Sequence, residues 1–383
     1  MVSRLIEQKL IEMATKFPVI AITGPRQSGK TTLCKKLFSS YMYVSLENPD
    51  HKEFAQQDPK GFIEQYNSNV IIDEVQNVPL LFSYIQGAVD ERDKPGQYIL
   101  TGSQNFLLLE KISQSLAGRV YIYHLLPFSY LELKANYQAS LLTNMFKGGY
   151  PRIYNKSIEP ADFFPSYVQT YLERDVRSII NIKDLSLFSS FLKLCVGRIG
   201  QLFNASNIAN ELGVDSKTIR SWLTLLEASF VIFKLQPWHT NFNKRIVKSP
   251  KIYFYDTGLA CYLLGLKAEE EINVHFAKGA IFENYVISEY LKNTWNKGEV
   301  LSPYFWRDSA GHEIDLLIEK GRDLKLIEIK SGKTINQNFF RGLDYFENIA
   351  NEFALKRFLV YGGDEARKQF NTQVLPWDNV QNL

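Results

Sequence analysis

The sequence predicts an α/β protein built in three parts. Short apolar, β-branched runs alternate with helical patterns in the first third, which predicts a parallel sheet with helices on both faces. A mainly helical stretch with a helix-turn-helix pattern follows, and the last third returns to strands that carry acidic residues. At 383 residues, two or three domains are expected, and we place them at 1–135, 136–265 and 266–383.

The first part is organised around a glycine-rich loop. Residues 17–23 predict a buried strand, residues 32–38 predict a helix, and the chain between them contains G-x-x-x-x-G-K-T. This is the phosphate-binding loop (P-loop) of nucleotide triphosphatases, whose backbone N–H groups and helix N-terminus face phosphate. The predicted nucleotide-binding residues are Gly24, Pro25, Arg26, Gln27, Ser28, Gly29, Lys30, Thr31 and Thr32.

Two of these residues have specific expected roles beside a second motif. Lys30 is expected to reach the outer phosphates, and the Thr31 hydroxyl is expected to ligate Mg²⁺. The predicted strand at 70–74 ends in Asp73 and Glu74, which is typical of a Walker B motif. Asp73 would hold Mg²⁺ and Glu74 would polarise the attacking water. ATP and Mg²⁺ are therefore the predicted cofactors.

Further polar residues are candidates for the same site. Ser103 follows the predicted strand at 97–103 and is a candidate sensor of the γ-phosphate, since parallel strands end at one edge of a sheet. Transferring phosphoryl groups are often met by an arginine from a neighbouring subunit. Arg119 and Arg174 are the candidates, each with a salt-bridged structural role as the alternative, and we expect a homo-oligomer.

The middle part contains a helix-turn-helix pattern at 204–226. Ser206 is expected to cap its first helix, Gly213 to form the turn, and Asp215 or Ser216 to cap the second helix. The runs at 230–235 and 251–255 predict a two-stranded wing. We expect DNA as a partner, with a protein-contact module as the alternative. Lys217 and Arg220 on the second helix are candidate DNA contacts. Three more candidates, Lys244, Arg245 and Lys248, belong to a basic cluster that also includes Lys251.

The last part carries a nuclease-like pattern. Asp315 lies on one predicted strand, and Glu328 and Lys330 lie two residues apart on the next, so that the latter pair faces the same way. The arrangement resembles the PD-(D/E)-x-K core of restriction-endonuclease-like folds, with Asp315 and Glu328 as Mg²⁺ ligands and Lys330 beside the attacking water. Glu283 on the preceding helix is a further candidate ligand. The alternatives are a related fold without activity, or an ion pair between Glu328 and Lys330.

Composition narrows the class of protein. The formal net charge is +3, which neither demands nor excludes nucleic acid. The three cysteines are far apart and show no metal-ligand spacing, which indicates a reduced compartment. The N-terminus lacks an apolar signal core and no apolar run is long enough to cross a bilayer, so we expect a cytoplasmic protein without a membrane partner.

In combination, these motifs resemble the prokaryotic ATPases of the AAA+ superfamily that carry a C-terminal domain of unknown function. The resemblance implies ATP binding and hydrolysis. The resemblance does not supply a cellular role. The role we favour is action on DNA by remodelling or translocation; the alternatives are a nucleotide-switched regulator or defence module that binds a protein partner, or an ATP-gated DNA nuclease. The matching stretches are residues 23–32, 72–76, 100–104, 115–119, 148–151, 171–175, 244–251 and 255–259.

Overall fold

The computed structural model describes residues 2–103, 115–172, 185–239, 248–299, 302–350 and 353–383. The chain divides into two compact units. Unit 1 comprises Met1–Phe128, Ala228–Phe230 and Trp295–Glu299, and unit 2 comprises Ser129–Glu227, Val231–Thr294 and Val300–Leu383. Within the described residues, no helix combines the length and the apolar character that crossing a bilayer requires.

Unit 1 contains a five-stranded, all-parallel sheet in the order β2-β3-β4-β1-β5. The predicted parallel sheet is therefore confirmed. Its strands are β1 Val19–Thr23, β2 Met42–Ser45, β3 Val70–Asp73, β4 Tyr98–Gly102 and β5 Val120–His124. The helices of this unit are α1 Glu7–Ala14, α2 Lys30–Leu37, α3 Pro49–Gln57, α4 Pro59–Gln65 and α5 Leu81–Arg92, with a 3-10 turn at Val75–Asn77.

Strand β1 lies in the interior of this sheet because both of its faces are apolar. Val19 and Ala21 pack into one core with residues of α4 and α5, whereas Ile20 and Ile22 pack into a second core with residues of α1 and α2. All five residues of β1 are buried. Because successive side chains of β1 point to opposite faces of the sheet, helices pack on both faces. The P-loop therefore follows an interior strand of the sheet.

Helices α3 and α4 were not predicted, although their starts carry clear signals. Pro49 and Pro59 occupy the first helical positions, where the missing N–H group costs no hydrogen bond. The side chain of Asn48 accepts from the Asp50 N–H, and that of Asp58 accepts from the Gly61 N–H. Both helices therefore begin with a cap followed by proline.

Unit 2 contains a mixed eight-stranded sheet in the order β12-β13-β11-β10-β9-β8-β6-β7. Its strands are β6 Ile232–Pro237, β7 Lys251–Phe254, β8 Tyr304–Arg307, β9 Glu313–Lys320, β10 Asp323–Lys330, β11 Ala354–Tyr361, β12 Arg367–Gln369 and β13 Thr372–Pro376. The helices are α6 Tyr130–Leu133, α7 Leu141–Lys147, α8 Pro151–Asn155, α9 Pro160–Tyr167, α10 Leu185–Val196, α11 Ala205–Leu212, α12 Ser216–Ala228, α13 Thr257–Leu263, α14 Lys278–Asn296 and α15 Arg341–Ile349, with a π-helical turn at Val168–Leu172 and 3-10 turns at Glu269–Asn273, Gln337–Phe340 and Trp377–Asn382.

The two strands predicted to form a wing pair with each other, but they also belong to the larger sheet. Strands β6 and β7 do pair antiparallel, but β6 also pairs with β8 through Gln236 and Tyr304, so both strands extend the larger sheet. The sheet consequently takes strands from both sides of residue 265. The apolar residues of β6 explain this position, because four of its six side chains are buried.

The helix-turn-helix pattern corresponds to α11 and α12, with one correction. Asn204, not Ser206, caps α11, since its Oδ1 accepts from the N–H groups of Ser206 and Asn207. Gly213 ends that helix in the left-handed conformation, as the turn requires. Asp215 caps α12 by accepting from the N–H groups of Lys217 and Thr218.

Candidate nucleotide site and the nuclease-like residues of unit 2

The P-loop turns between β1 and α2 through three positive backbone torsions. Gly24 has φ of +148°, Gln27 has φ of +61°, and Gly29, which precedes α2, has φ of +96°. A Cβ atom at Gly24 would overlap the backbone carbonyl of Leu125, so the first glycine is also required by space. The loop is therefore shaped by residues that accept a left-handed or crowded backbone.

Lys30 lies inside this loop. The residue is 6% exposed, and its Nζ donates to the carbonyl oxygens of Gly24 at 3.0 Å and Pro25 at 2.8 Å. Burial lowers the pKa of Lys30 to about 8, although the nearby carboxylates of Glu74 and Asp73 oppose that shift. The ammonium group is thus desolvated and placed where a phosphate charge would compensate it.

Asp73 ends β3 and is surrounded by hydroxyl groups. The Thr31 Oγ1 lies 3.2 and 3.0 Å from its two carboxylate oxygens, and the Tyr43 hydroxyl donates to Oδ2 at 2.8 Å. The Thr101 hydroxyl donates to Oδ1. Strands β2 and β4 flank β3 and supply Tyr43 and Thr101, so sheet order alone brings these donors to the carboxylate.

Glu74 follows in the left-handed conformation, with φ of +55°. Its Oε2 accepts from the Ser103 hydroxyl at 3.0 Å and from the side-chain amide of Gln76. Ser103 is buried at the end of β4. The structure therefore brings Lys30, Thr31, Asp73, Glu74 and Ser103 to one edge of the sheet, as their positions after strand ends predicted.

Arg4 is a residue of this region that sequence reasoning missed. It is 8% exposed, its guanidinium donates to the Ser28 carbonyl in the P-loop at 3.4 Å and to the Leu126 carbonyl, and it lies 4.5 Å from the centre of the Phe128 ring. Arg26, within the loop, forms an ion pair of 3.7 Å with Glu47. No local motif marks Arg4, because its partners are distant in sequence.

The residues of the loop fit a magnesium nucleotide. Three buried polar atoms in the loop and at the end of β1, namely the Thr23 Oγ1, the Gln27 Oε1 and the Ser28 Oγ, have no hydrogen-bond partner among the described residues. A buried lysine, a threonine hydroxyl and an aspartate at the start of α2 and the end of β3 are the donor set that phosphate and Mg²⁺ use. Thr31 and Asp73 are the residues that would hold the ion.

The structure describes only one of the two candidate trans-acting arginines. Arg119 forms a two-point ion pair with Asp90 of unit 1, with Nη2 2.8 Å from Oδ2, and it also donates to the Ala117 carbonyl. Arg174 lies outside the described residues. Arg119 therefore has a structural partner within its own unit, which is the alternative that the sequence left open.

Three of the five candidate DNA contacts lie within the described residues, and all three are exposed. Lys217 and Arg220 are exposed on α12, and Lys248 is exposed before β7, while Lys244 and Arg245 lie outside the described residues. Lys251, which was grouped with this basic cluster, is 2% exposed and cannot reach a phosphate on a surface. Its inclusion was wrong, because position 251 begins a strand of the sheet instead of continuing a loop.

The nuclease-like residues meet in unit 2. Leu316 on β9 pairs with Ile327 on β10, which places Asp315 beside Glu328. The Lys330 Nζ lies 3.2 Å from the Asp315 Oδ2 and 2.5 Å from the Glu328 Oε1. Burial, together with the Asp315 charge, raises the pKa of Glu328 to about 8.

Glu283 has different partners from those predicted. Its Oε1 accepts from the Tyr253 hydroxyl at 2.5 Å and from the Lys251 Nζ at 3.1 Å. Across the described ranges, no three His, Cys, Asp or Glu side chains are placed so that they could hold a metal ion together. The four nuclease-like residues, Glu283, Asp315, Glu328 and Lys330, therefore do not fit the Mg²⁺ that nuclease chemistry would need.

Two further stretches of the resemblance pack on each other. Asp256, 2% exposed, accepts from the Gly149 N–H at 2.7 Å and from the Leu259 N–H at 3.0 Å, so it caps α13 and fixes the turn before α8. A Cβ atom at Gly148 would overlap the Asp256 carboxylate. Asp256 therefore links the start of α13 to the turn before α8.

Comparison with known proteins covers most of the chain. Family models match residues 16–134 as an AAA domain, 138–270 as the domain of unknown function DUF8612, and 278–380 as the domain of unknown function DUF4143. An uncharacterized protein of Mycobacterium bovis is 31% identical over 326 residues, which span 83% of this chain and 71% of that protein, and one of Mycobacterium tuberculosis matches equally.

More distant similarity is also found. An uncharacterized protein of Haemophilus influenzae is 22% identical over 322 residues, covering 76% of this chain and 78% of that protein. A solved structure, the Walker-type ATPase of Pyrococcus abyssi, has 14% sequence identity and a TM-score of 0.46, covering 67% of this chain and 94% of that one. The chain belongs to the family of the mycobacterial proteins and carries an AAA domain of the P-loop ATPase type followed by two domains of unknown function.

Proposed function

We propose that the protein binds ATP with Mg²⁺ at the P-loop of unit 1 and hydrolyses it. The observation that carries the proposal is the convergence of Lys30, Thr31, Asp73 and Glu74 at one edge of the parallel sheet. Bound Mg²⁺ would neutralise charge on the phosphates. The chain's own part is to orient the phosphates with loop N–H groups and to hold Glu74 where it can position water.

In this proposal each side chain has one task. Lys30, already desolvated, supplies the positive charge that meets the outer phosphates. Thr31 and Asp73 fix the ion, and Ser103 and Gln76 fix the rotamer of Glu74. Positioning and charge compensation account for most of phosphoryl-transfer catalysis, so loss of any of these groups is expected to lower turnover.

Steady-state ATP turnover tests this function. Lys30→Ala removes the buried charge and is expected to reduce turnover by at least about 100-fold, on the scale of losing a preorganised charge in phosphoryl transfer. Lys60→Ala is the matched control, since the Lys60 side chain is 78% exposed in the same unit. Equal turnover of Lys30→Ala and Lys60→Ala, or failure of the intact protein to bind ATP with Mg²⁺ in calorimetry, would contradict the proposal.

We further propose that the favoured target is DNA, contacted through α12. Lys217 and Arg220 are exposed on one face of this helix, while Ile219, Trp222 and Leu223 are buried beneath it. A helix that follows a tight turn and presents basic side chains suits a groove of DNA. The runner-up is a nucleotide-switched module that binds a protein partner with the same surface.

DNA-stimulated turnover separates these two functions. The intact protein is expected to hydrolyse ATP faster with single-stranded, duplex or branched DNA, and the double variant Lys217→Glu, Arg220→Glu is expected to lose that stimulation while basal turnover stays. The control is Lys278→Glu, which adds negative charge at the start of α14 instead. Turnover that no DNA changes would favour the protein-binding alternative.

We also propose that the protein self-associates and that Arg174 meets the transferring phosphoryl group in a neighbouring subunit, because the other candidate, Arg119, has a partner in its own unit. Mixing two inactive variants tests it. Lys30→Ala subunits keep Arg174, and Arg174→Ala subunits keep the nucleotide site, so a mixture is expected to regain part of the activity. If both variants are folded and the mixture does not regain ATP turnover, the proposal of a site shared between subunits is wrong.

A further inference from the structure

A buried arginine connects the P-loop to the chain that follows β5. Arg4 is 8% exposed and lies in the segment 2–6 that precedes α1. Along this segment Val2, Arg4 and Ile6 are buried, whereas residues 3 and 5 are exposed. The side chain of Arg4 is thus buried together with two apolar residues, a place where a charged group requires polar partners.

The guanidinium group of Arg4 holds two carbonyl groups that are far apart in sequence. Its Nη2 donates to the Ser28 carbonyl at 3.4 Å and to the Leu126 carbonyl. The guanidinium carbon lies 4.5 Å from the centre of the Phe128 ring. Because a guanidinium group is planar and offers its donors in fixed directions, the ring and the two carbonyls together define its position. Arg4 therefore joins the second half of the P-loop to residues 126–128.

The first half of the P-loop contacts the same stretch of chain. The Leu125 N–H donates to the Thr23 carbonyl at 2.7 Å, and a Cβ atom at Gly24 would overlap the Leu125 carbonyl. Leu125 and Leu126 thus run beside the loop and contact its start directly, through backbone atoms. The contact with Ser28, in contrast, is made through the side chain of Arg4, which a substitution can remove.

The segment that carries Arg4 is itself tied to α2. The Arg4 N–H donates to the Glu7 Oε1 at 2.8 Å, and the Lys36 Nζ on α2 lies 2.7 Å from the same oxygen. Ile6 packs into the core that also contains Leu33 of α2. The backbone of Arg4 is therefore held by the helix that follows the P-loop, and its guanidinium reaches the loop from a fixed starting point.

A fixed Ser28 carbonyl also fixes the direction of the next N–H group. The Ser28 C=O and the Gly29 N–H belong to one planar trans peptide unit, so they point in opposite directions. Among the residues that the structure describes, the Gly29 N–H donates to no acceptor. Gly29 has φ of +96° and precedes α2, which makes its N–H one of the amides at a helix N-terminus that can face phosphate. Since glycine has few steric restraints, this peptide needs an outside contact to keep one orientation.

We propose that Arg4 is a positioning residue of the nucleotide site: by holding the Ser28 carbonyl beside Leu126, it keeps the Gly29 N–H turned toward the phosphates of a bound nucleotide. This role rests on the proposed nucleotide binding by unit 1. Arg4 acts through the loop backbone and does not itself contact the nucleotide. The segment before α1 thereby becomes part of the nucleotide site, and its effect is on the phosphates and not on the base.

Nucleotide affinity and ATP turnover of the full-length protein test this role. Arg4→Met keeps an apolar stem and removes the guanidinium, and it is expected to weaken binding of ADP with Mg²⁺ about 5- to 30-fold, as the loss of a charge-assisted hydrogen bond would. Inorganic tripolyphosphate, used as a competitor, is expected to lose affinity by the same factor. Guanidinium chloride far below the unfolding range is expected to restore part of the turnover of Arg4→Met, whereas an equal concentration of sodium chloride is not.

Arg92→Met is the matched control. The Arg92 guanidinium also donates to a backbone carbonyl of unit 1, that of Asn67, and to the Tyr98 hydroxyl at 3.3 Å. Asn67 precedes β3 and Tyr98 begins β4, so these partners lie at the opposite edge of the parallel sheet from the P-loop. Both variants are expected to lower Tm, but only Arg4→Met is expected to change nucleotide affinity and to respond to guanidinium.

The outcomes separate the role of Arg4 from the proposed function. If the unaltered protein binds no nucleotide, both are wrong. If it binds nucleotide and Arg4→Met binds ADP and tripolyphosphate equally well, only the role of Arg4 is wrong. A loss confined to ADP would place Arg4 at the base and overturn it, and so would a loss that guanidinium does not restore or that Arg92→Met shares.

A second variant covers the case in which Arg4→Met does not fold. Arg4→Lys keeps the charge and most of the stem, but its ammonium group reaches less far and cannot reproduce the planar fork. Its ADP affinity is expected to fall about 3- to 10-fold, and an unchanged affinity would overturn the role of Arg4.

Discussion

At the scale of single residues, Asp73 illustrates how a carboxylate is fixed before any ligand arrives. Hydroxyl groups from α2, β2 and β4 donate to its two oxygens. Each hydrogen bond to a charged acceptor contributes about 1.5–3 kcal/mol, and their combined effect is to restrict the carboxylate to one rotamer. A residue proposed to hold Mg²⁺ is thereby preorganised.

Tyr43→Phe is the residue-scale prediction. It removes the hydrogen bond of 2.8 Å to the Asp73 Oδ2 and leaves the ring, over which the Lys35 Nζ lies at 3.4 Å. Because Asp73 gains rotational freedom, we expect the Mg²⁺ concentration for half-maximal ATP turnover to rise about 3- to 10-fold, since only part of the free energy of this hydrogen bond is expressed in Mg²⁺ affinity.

Tyr84→Phe is the control for Tyr43→Phe, since Tyr84 is 36% exposed on α5 of the same unit. Titration of turnover against Mg²⁺ for both variants measures the effect. Superimposable curves for Tyr43→Phe and the unaltered protein would argue against a positioning role for this hydroxyl.

Sequence reasoning found Asp73 but not Tyr43, and the reason is physical. Asp73 ends an apolar strand, which is a local pattern, whereas Tyr43 meets it across 30 residues of chain. That contact requires β2 to lie beside β3, and strand order is decided by packing of the whole unit. Arg4 was missed for the same reason, because its partner Ser28 is 24 residues away.

At the scale of elements, the P-loop combines two constraints in one glycine. Gly24 needs both its φ of +148° and the absence of a side chain, because Leu125 at the end of β5 lies against it. A left-handed or crowded glycine cannot accept alanine without strain, whereas a glycine inside a helix is improved by alanine. Gly87, inside α5 with open space around its Cα, is such a glycine.

Gly24→Ala and Gly87→Ala are therefore expected to have opposite effects. Gly24→Ala is expected to lower the free energy of unfolding of unit 1 by about 1–3 kcal/mol and to abolish ATP turnover, since the loop must shift. Gly87→Ala is expected to raise that free energy by about 0.5–1 kcal/mol at unchanged turnover. Denaturant unfolding measures both, and a stabilised, active Gly24→Ala variant would refute the crowding argument.

Local elements were predicted better than their pairing. The strand candidates of unit 1 and the two helices of the helix-turn-helix were found from apolar periodicity and turn residues. The pairing of β6 with β7 was expected, but the pairing of β6 with β8 was missed, because β8 lies far along the chain and no local pattern indicates that partner. Asn204 replaced Ser206 as a cap because the helix begins two positions earlier than predicted, at Ala205.

At the scale of the whole molecule, the eight-stranded sheet sets how unit 2 can be divided. Strands β6 and β7 form one edge of this sheet, and the Trp238 Nε1 donates to Glu319 on β9 at 3.1 Å. A fragment that begins at residue 266 keeps β8 but loses β6, which pairs with β8, and β7, which pairs with β6. An exposed strand edge invites pairing between molecules.

Two fragments test this consequence. Residues 129–383 keep every strand of the sheet and are expected to be monodisperse in light scattering. Residues 266–383 are expected to aggregate, because β8 becomes an edge and Glu283 and Glu313 lose Lys251. A monodisperse, cooperatively unfolding fragment 266–383 would show that the last strands fold without β6 and β7.

The placement of Lys251 also bears on how the chain is synthesised. A ribosome releases β7 well before β9 and β10, so the lysine leaves the exit tunnel long before Glu313 exists to receive it. Its ammonium group stays solvated until then. Strands β6 and β7 can join the sheet only after most of the polypeptide has been translated. Nascent chains that stall before β9 would consequently present an unfinished sheet to chaperones and proteases.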